Sequence, residues 1–356
     1  MSSVLYVALL VCVLQESPRS ITDSNSFSSL VERARIEYWT GRFGEAESLL
    51  TTALRNFPSI DETQRARALS ELGDVLVNLD ELQKAERVYM ESLAIYKRSD
   101  DKAAVTLLLR NLGALYSLQG RDEEALQILQ QALKTARTAD QAGSQLTGHV
   151  LNNIGVVYYR QRNMSKAEKF FKDALRSLSS SDVASKRADL LNNLGVIYHS
   201  KREFQKSEDY LTQGLRITEA IVGATHPDVT FSLSAMGVLY TDMRRYAEAE
   251  ALYQRALAIL EPDAPVFETR IARLLHSLSV TYAQAGRRAE ADATQARAAT
   301  LARRNVGKHP DMALIMDAFA VTLKKGGKLQ EAEELRREAK RARVAADLVI
   351  NAIRPF

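Results

Sequence analysis

The chain has 356 residues, 46% of them hydrophobic and 26% charged, enough apolar content for a sizeable core. Its net charge of +4 is far from the dense basic footprint of a nucleic-acid binder. A single cysteine, Cys12, excludes intrachain disulfides and a cysteine-based zinc site, and only 7 Pro and 16 Gly among abundant Ala, Leu, Glu, Arg and Gln predict long helices.

In chain order, the first element is the apolar run VLYVALLVCVL from Val4 to Leu14, followed by the polar QESPRSITDSNS. Crossing a bilayer takes about 20 residues, so this run is too short for a span and suits the core of a signal peptide. On that reading the mature protein is exported, periplasmic or secreted. Against it, no Lys or Arg precedes the run and no Ala-x-Ala site follows; a frayed helix or a misplaced start codon is the alternative. Residues 1–26 are read as this segment plus a flexible leader ending in a helix N-cap. No later stretch suggests a membrane span.

From Phe27 onward the sequence repeats. LLRNLGALYSLQGRDEEALQILQQAL, ending at Leu133, aligns without a gap to VLNNIGVVYYRQRNMSKAEKFFKDAL, ending at Leu175. LLNNLGVIYHSKREFQKSEDYLTQGL and SLSAMGVLYTDMRRYAEAEALYQRAL continue the series. Each copy opens on a Leu-Gly-like pair with a Tyr three residues on: Leu112-Gly113 with Tyr116, Ile154-Gly155 with Tyr158, Leu194-Gly195 with Tyr198, Met236-Gly237 with Tyr240. Leu72-Gly73 and the degenerate Leu278-Ser279 with Tyr282 extend the pattern, and Ala34 and Ala320 mark weaker copies. Later in each copy an Ala is followed four on by a large apolar residue: Ala85 with Tyr89, Ala125 with Leu129, Ala167 with Phe171, Ala249 with Tyr253.

These residues resemble the tetratricopeptide repeat, a stack of helix-turn-helix units. The resemblance implies an all-α fold, a right-handed solenoid of about eight repeats over 27–353. Their expected bounds are near 27–60, 66–99, 106–140, 148–182, 188–222, 230–262, 272–306 and 313–353, with a C-terminal capping helix. One pair cannot bury its apolar face alone, so stability comes from stacking. Turns within pairs are expected at Gly41, Asp80, Gly120, Arg162, Arg202, Arg244, Gly286 and Gly327, where Gly suits a left-handed helix end. The small-residue slots recur about every 41 residues, longer than the basic 34-residue repeat. The excess lies in linkers such as Gly223-x-x-His226-Pro227-Asp228 and Gly307-x-His309-Pro310-Asp311, with Pro expected early in the next helix. That linker pattern is similar to the long-repeat subgroup that includes kinesin light chains. At the far end Ala332, Leu335, Ala339, Ala342, Ala346, Val349 and Ile353 form a helical stripe that ends before Pro355.

Stacked pairs curve, and each repeat's first helix lines the concave wall. Helical spacing puts residues three before, one after and four after the Gly slot on that wall. The expected groove residues are Arg110, Asn111, Asn152, Asn153, Val156, Tyr159, Asn192, Asn193, Val196, His199, Ser234, Val238 and His276. Asn side chains donate and accept, so the row Asn111, Asn153 and Asn193 can grip an extended backbone. In kinesin light chains this ladder contributes to peptide binding, and the resemblance implies the same here; the other reading is that each Asn ties neighbouring repeats. The carboxylate clamp of chaperone-binding relatives needs Lys three before a slot and Asn one after. Neither is present, so a free C-terminal carboxylate is not the expected handle.

His149, His199 and His276 are expected on the inner wall but on separate repeats or helix ends, no phosphate loop is present, and no catalytic arrangement stands out, so neither cofactor, metal nor small-molecule substrate is expected. His-Pro-Asp is read as linker chemistry and Asn163-Met164-Ser165 as incidental. Basic pairs crowd the last third, Arg287-Arg288, Arg303-Arg304, Lys324-Lys325, Arg336-Arg337 and Lys340-Arg341, interleaved with Glu at helix-pairing distances. The expectation is a non-catalytic interaction scaffold or adaptor that binds a peptide or helix of another protein. The rivals are a nucleic-acid-binding solenoid using that basic third, and an architectural part of an assembly, with self-association.

Overall fold

A computed structural model describes residues 26–352, except 40–41, 80, 139–142, 179–183 and 306–310. Val4–Leu14, Gly41, Asp80, the second His-Pro pair and Pro355 lie outside the described residues, as do the side chains of the terminal stripe from Ala342 on. Sixteen α-helices, and no strand, occur among those described. They are α1 (Phe27–Trp39), α2 (Phe43–Asn56), α3 (Glu62–Asn78), α4 (Leu82–Arg98), α5 (Lys102–Leu118), α6 (Asp122–Ala136), α7 (Gly143–Arg160) and α8 (Met164–Ser177). After them come α9 (Ala184–Ser200), α10 (Phe204–Val222), α11 (Val229–Asp242), α12 (Tyr246–Leu260), α13 (Ala264–Gln284), α14 (Arg288–Asn305), α15 (Asp311–Lys325) and α16 (Leu329–Ala352).

Every odd helix packs most heavily on the even helix after it, and each even helix with a successor packs less extensively on the next odd one. Odd helices also touch their odd successors (α5 with α7, α7 with α9, α9 with α11, α11 with α13, α13 with α15), while no even pair packs to that extent. Neighbours that lie closer on one wall than on the other bend the stack, so the odd helices form the inner wall of the solenoid.

Within a pair, the Gly slot sets the distance. A Cβ added at Gly155 would stand 2.6 Å from the Phe171 ring, and one at Gly237 would stand 2.6 Å from Tyr253. Gly113 meets Leu129 and Gly195 meets Leu211 in the same way. The ring or Leu side chain of the even helix therefore occupies the volume a β-carbon would need. Tyr253, Leu129 and Leu211 are fully buried by that contact, and Ala125, Ala167 and Ala249 one turn earlier are at 0% exposure. Where Ser279 replaces Gly, the even helix presents the slim, buried Gln295, whose amide donates to the carbonyl of Phe319 in the next repeat (3.2 Å).

Between pairs, a recurring clip of Tyr, Glu and a cation joins one repeat to the next. The hydroxyls of Tyr198, Tyr240 and Tyr282 donate to Glu168, Glu208 and Glu250 of the preceding even helix at 2.6, 2.7 and 2.8 Å. Arg245 and Arg287 pair with the same Glu208 and Glu250 at 3.0 and 2.6 Å, Arg121 pairs with Glu86 at 3.0 Å, and Lys201 closes on Glu168. The Arg121, Arg245 and Arg287 guanidiniums also lie over the Tyr116, Tyr240 and Tyr282 rings at 4.0, 3.9 and 4.3 Å. Although burial opposes it, hydrogen bonds from Lys172, Lys201 and Tyr198 hold the Glu168 carboxyl down to about 2.

The turns inside pairs carry positive φ at six positions: Gly120 (76°), Arg162 (60°), Arg202 (61°), Arg244 (58°), Gly286 (82°) and Gly327 (82°). At each of them the next residue's N–H reaches back five residues, as Arg245 does to Tyr240 O at 2.8 Å, satisfying a free carbonyl of the helix end. Asp61, Asp101 and Asn163 cap the helices that follow by accepting from the N–H of Gln64, Ala104 and Lys166. One expectation shifts: Pro227 sits in the turn ahead of α11 and not in its first turn, its carbonyl accepting from Thr230 Oγ1 at 2.7 Å.

Two substitutions separate these effects. Gly155→Ala drives a methyl into Phe171 and is expected to cost about 1–3 kcal/mol, whereas Gly44→Ala, in open space on α2, is expected to stabilise by roughly 0.5–1 kcal/mol. Urea midpoints measure both. Replacing Arg162, Arg202 and Arg244 together with Gly relieves three left-handed side-chain positions, and the thermal midpoint of that variant is expected to rise.

Candidate functional site

Among the described residues, two cavities lie side by side on the inner wall. The smaller, of about 110 Å³, lies between α5, α7 and α9 and is lined by Arg110, His149, Asn152, Asn153, Lys186 and Asp189 among others. The larger, of about 440 Å³, lies between α9, α10, α11 and α13, with Asp189 again on its edge. Asn192 and Ser234 line it, together with Phe231, Ile221, Leu274, Arg270 and Arg273. Exposed valines and a tyrosine follow along the wall: Val156, Tyr159 and Val238 are each 37% exposed and Val321 is 43% exposed.

The amides are held between repeats. Asn111 donates to Asp74 Oδ1 (3.1 Å) and itself accepts from the Arg110 guanidinium at 2.9 Å. Asp74 also accepts from the Tyr89 hydroxyl at 2.5 Å, so a polar chain runs from α4 through α3 to α5. Burial raises the Asp74 carboxyl above its usual range and lowers the Arg110 guanidinium below its own. Asn193 donates to Asn152 Oδ1 across the α7–α9 contact at 2.9 Å. Asn192 is buried, at 4% exposure; it accepts from Ser232 Oγ at 3.0 Å and packs on Gly214, where a β-carbon would run into its side-chain oxygen. Asn153 stands at the rim of the smaller cavity. His199 bonds Asp242 on the next odd helix at 2.8 Å, and Val196 is partly buried beside it. His276 packs edge-on against Phe319 of the following repeat at 4.9 Å, with a buried Nδ1 that has no partner. Burial pushes the His276 ring below its usual pKa.

His149 was legible as an inner-wall residue, but sequence spacing missed the others at the position six before each Gly slot, Leu107, Asp189, Phe231 and Arg273. That position lies one further turn along the same helix face, so extending the stripe by a turn would have found them. Phe231 is 55% exposed there, and neither ring nitrogen of His149 has a partner. Burial first, then the Arg110 and Lys186 charges, push the His149 pKa from 6.5 down to about 4. Among the described residues no group of three His, Cys, Asp or Glu could hold a metal ion, and no helix is long and apolar enough to cross a membrane.

Tetratricopeptide-repeat models match residues 25–98, 64–138, 103–180, 186–261 and 271–311. The chain belongs to the tetratricopeptide-repeat family. It is 25% identical over 152 residues to Protein KINESIN LIGHT CHAIN-RELATED 1 of Arabidopsis thaliana, covering 41% of this chain and 25% of that protein, so it spans about a quarter of that relative's length. Among solved structures it is similar in fold to the apo form of the quorum sensor NprR from B. thuringiensis (TM-score 0.65, 15% identity, 96% of this chain and 92% of that one). It also resembles the Rap conjugation gene regulator of plasmid pLS20 in complex with a Phr peptide (TM-score 0.58, 15% identity, 99% and 87%).

Because His149 folds with a depressed pKa, it stays neutral in the folded chain while the unfolded chain takes up a proton. Its contribution is therefore intact above pH 6.5 and is lost as pH falls toward about 4. The urea midpoint is expected to fall over that window by less in His149→Gln than in the parent. Asn192→Ala leaves Ser232 Oγ without its buried partner, and a cost of about 1–3 kcal/mol is expected by the same measurement.

Proposed function

We propose that the chain is a non-catalytic scaffold or adaptor that holds a segment of another protein, an extended peptide or a helix, in the groove of its odd-helix wall. The observation that carries this is the location of exposed apolar surface. Of the eleven large hydrophobic residues exposed among the described ones, eight stand on odd helices: Ile36, Leu107, Leu118, Val156, Tyr159, Phe231, Val238 and Val321. Solvated apolar surface on one concave wall of a folded chain is the usual mark of a protein-binding groove.

The fold neighbours lend support from outside, since one of them carries a Phr peptide. Part of the basic C-terminal third is engaged within the chain: Arg297 pairs with Glu261, Arg303 with Glu338 and Arg337 with Glu333, and Arg287 belongs to a Tyr–Glu clip. That favours the protein groove over a nucleic-acid surface. The inter-repeat bonds of Asn111 and Asn193 support the tie reading for those two amides, and Asn153 at the cavity rim is the member of the row we assign to the ligand.

A single segment binds with micromolar affinity, about −8 kcal/mol, because ordering a flexible peptide offsets much of the contact energy. The test is capture of partners from source-cell lysate by the parent, by a Val156→Ser/Tyr159→Ala/Val238→Ser variant and by Met90→Ser on an even helix. All three altered wall residues are already solvent-exposed, so circular dichroism is expected to be unchanged. Partners are expected to be lost by the triple variant and kept by Met90→Ser; the same partners on all three proteins would sink the groove reading.

A further inference from the structure

The larger cavity of the inner wall is segregated by charge. At its α9 side stand Asp189 and, from the turn before α11, Asp228; at its α13 side stand Arg270 and Arg273. Between them α11, the end of α10 and Leu274 of α13 supply an apolar floor, with Phe231, Ile221 and Val222. Phe231 and Ile221 are 55% and 48% exposed, so the floor is open to solvent.

Like charges are gathered at each end. Partial burial and the neighbouring Asp228 hold the Asp189 carboxyl above its usual range, against the pull of Lys186. Burial and the neighbouring Arg270 hold the Arg273 guanidinium below its own. Lys186 reaches Asp189 at 3.3 Å from the smaller cavity, and His226 lies 3.5 Å from Asp228. At the other end Arg270 lies over the Phe267 ring at 5.6 Å and Arg273 is itself engaged within the chain; the cleft still gathers carboxylates toward α9 and guanidiniums toward α13, with hydrophobic surface midway.

We propose that this cavity is the specificity-determining part of the groove, taking an extended peptide stretch with a cationic group at its α9 end, a large apolar side chain over Phe231 and a carboxylate at its α13 end. The proposal rests on the groove reading above and gives it a ligand chemistry. The spacing follows from the packing. α9 touches α11 and α11 touches α13, and packed helices lie 8–10 Å apart, so the two ends are separated by roughly 16–20 Å of backbone. Side chains reaching inward shorten that span, and at about 3.3 Å per residue an extended stretch of about five residues bridges it. The polarity also fixes direction along the groove, because a reversed stretch would set like charges against like at both ends.

The ammonium and carboxylate are those of Lys and Glu side chains within a partner's segment; the two ends of a short free peptide are the competing outcome. Isothermal titration of the purified chain with four synthetic probes separates them: capped KALAE, capped QALAQ, capped KALAK and uncapped AALAA. Capped KALAE is expected to bind at least tenfold tighter than capped QALAQ. Asp189→Asn and the double variant Arg270→Gln/Arg273→Gln are each expected to remove most of that preference. All three side chains are partly open to solvent, and an unchanged thermal midpoint confirms folding. Arg270→Glu/Arg273→Glu is expected to reverse the preference toward capped KALAK, an outcome no loss of structure would produce. Binding of AALAA at the level of KALAE assigns the charges to chain ends; KALAE binding without AALAA assigns them to side chains. Equal affinity for KALAE and QALAQ, or a preference untouched by the variants, overturns the proposal. In that event the lysate capture with the Val156, Tyr159 and Val238 variant still decides the groove reading, because none of those residues lines this cavity.

Discussion

The structure depends on how near two helices of a pair can come. At Gly113, Gly155, Gly195 and Gly237 the odd helix has no β-carbon, and the Leu, Phe or Tyr of the even helix fills the vacated volume. Everything else is scaled to that approach. The buried Ala125, Ala167 and Ala249 are small because the crossing backbones leave room for nothing larger, and the pair is narrow enough for its neighbours to stack at a fixed spacing. With the pairs held at constant width, curvature arises from the inner wall alone, and the groove is a by-product of close packing on its own side.

Stacking is then made specific by polar contacts added to an apolar core that runs through successive repeats. Each Tyr–Glu–cation clip joins a hydroxyl, a carboxylate and a ring face from two successive repeats. On the inner wall Asn193 with Asn152, Asn192 with Ser232 and Thr241 with Thr281 do the same with neutral groups. A buried polar group costs free energy unless its partner stands at the right place, so these bonds penalise any slip of one pair along the next. Apolar packing tolerates small slips, and the polar bonds are what define the register.

Much of the fold was legible in the sequence because the repeat displays the same constraint many times over. Gly155 alone says little; Gly113, Gly155, Gly195 and Gly237, each with a Tyr three on and a large apolar residue sixteen on, fix a pair of helices and their crossing point. The positive φ of Arg162, Arg202 and Arg244 was legible too, by position, since they align with Gly120 and Gly286. The candidate site was read less fully. Residue spacing assigns a face, and Val156, Tyr159 and Val238 are exposed on it, but spacing is silent on what neighbouring repeats bring to that face. The Ser232 hydroxyl that takes Asn192 out of solvent is forty residues away in the chain. The charge-segregated cavity combines four helices, and nothing in one repeat announces it.

In the structure each pair touches essentially its neighbours in the stack. Such an object has no single rigid body; its shape is the sum of many small hinge angles, each set by one interface. A change of a degree or two at successive interfaces accumulates along the coil, so the mouth of the groove can open or close while no individual contact is broken. The chain is in this sense a spring with a binding surface on its inside, and whatever lies along that surface stiffens the coil by fastening several turns at once.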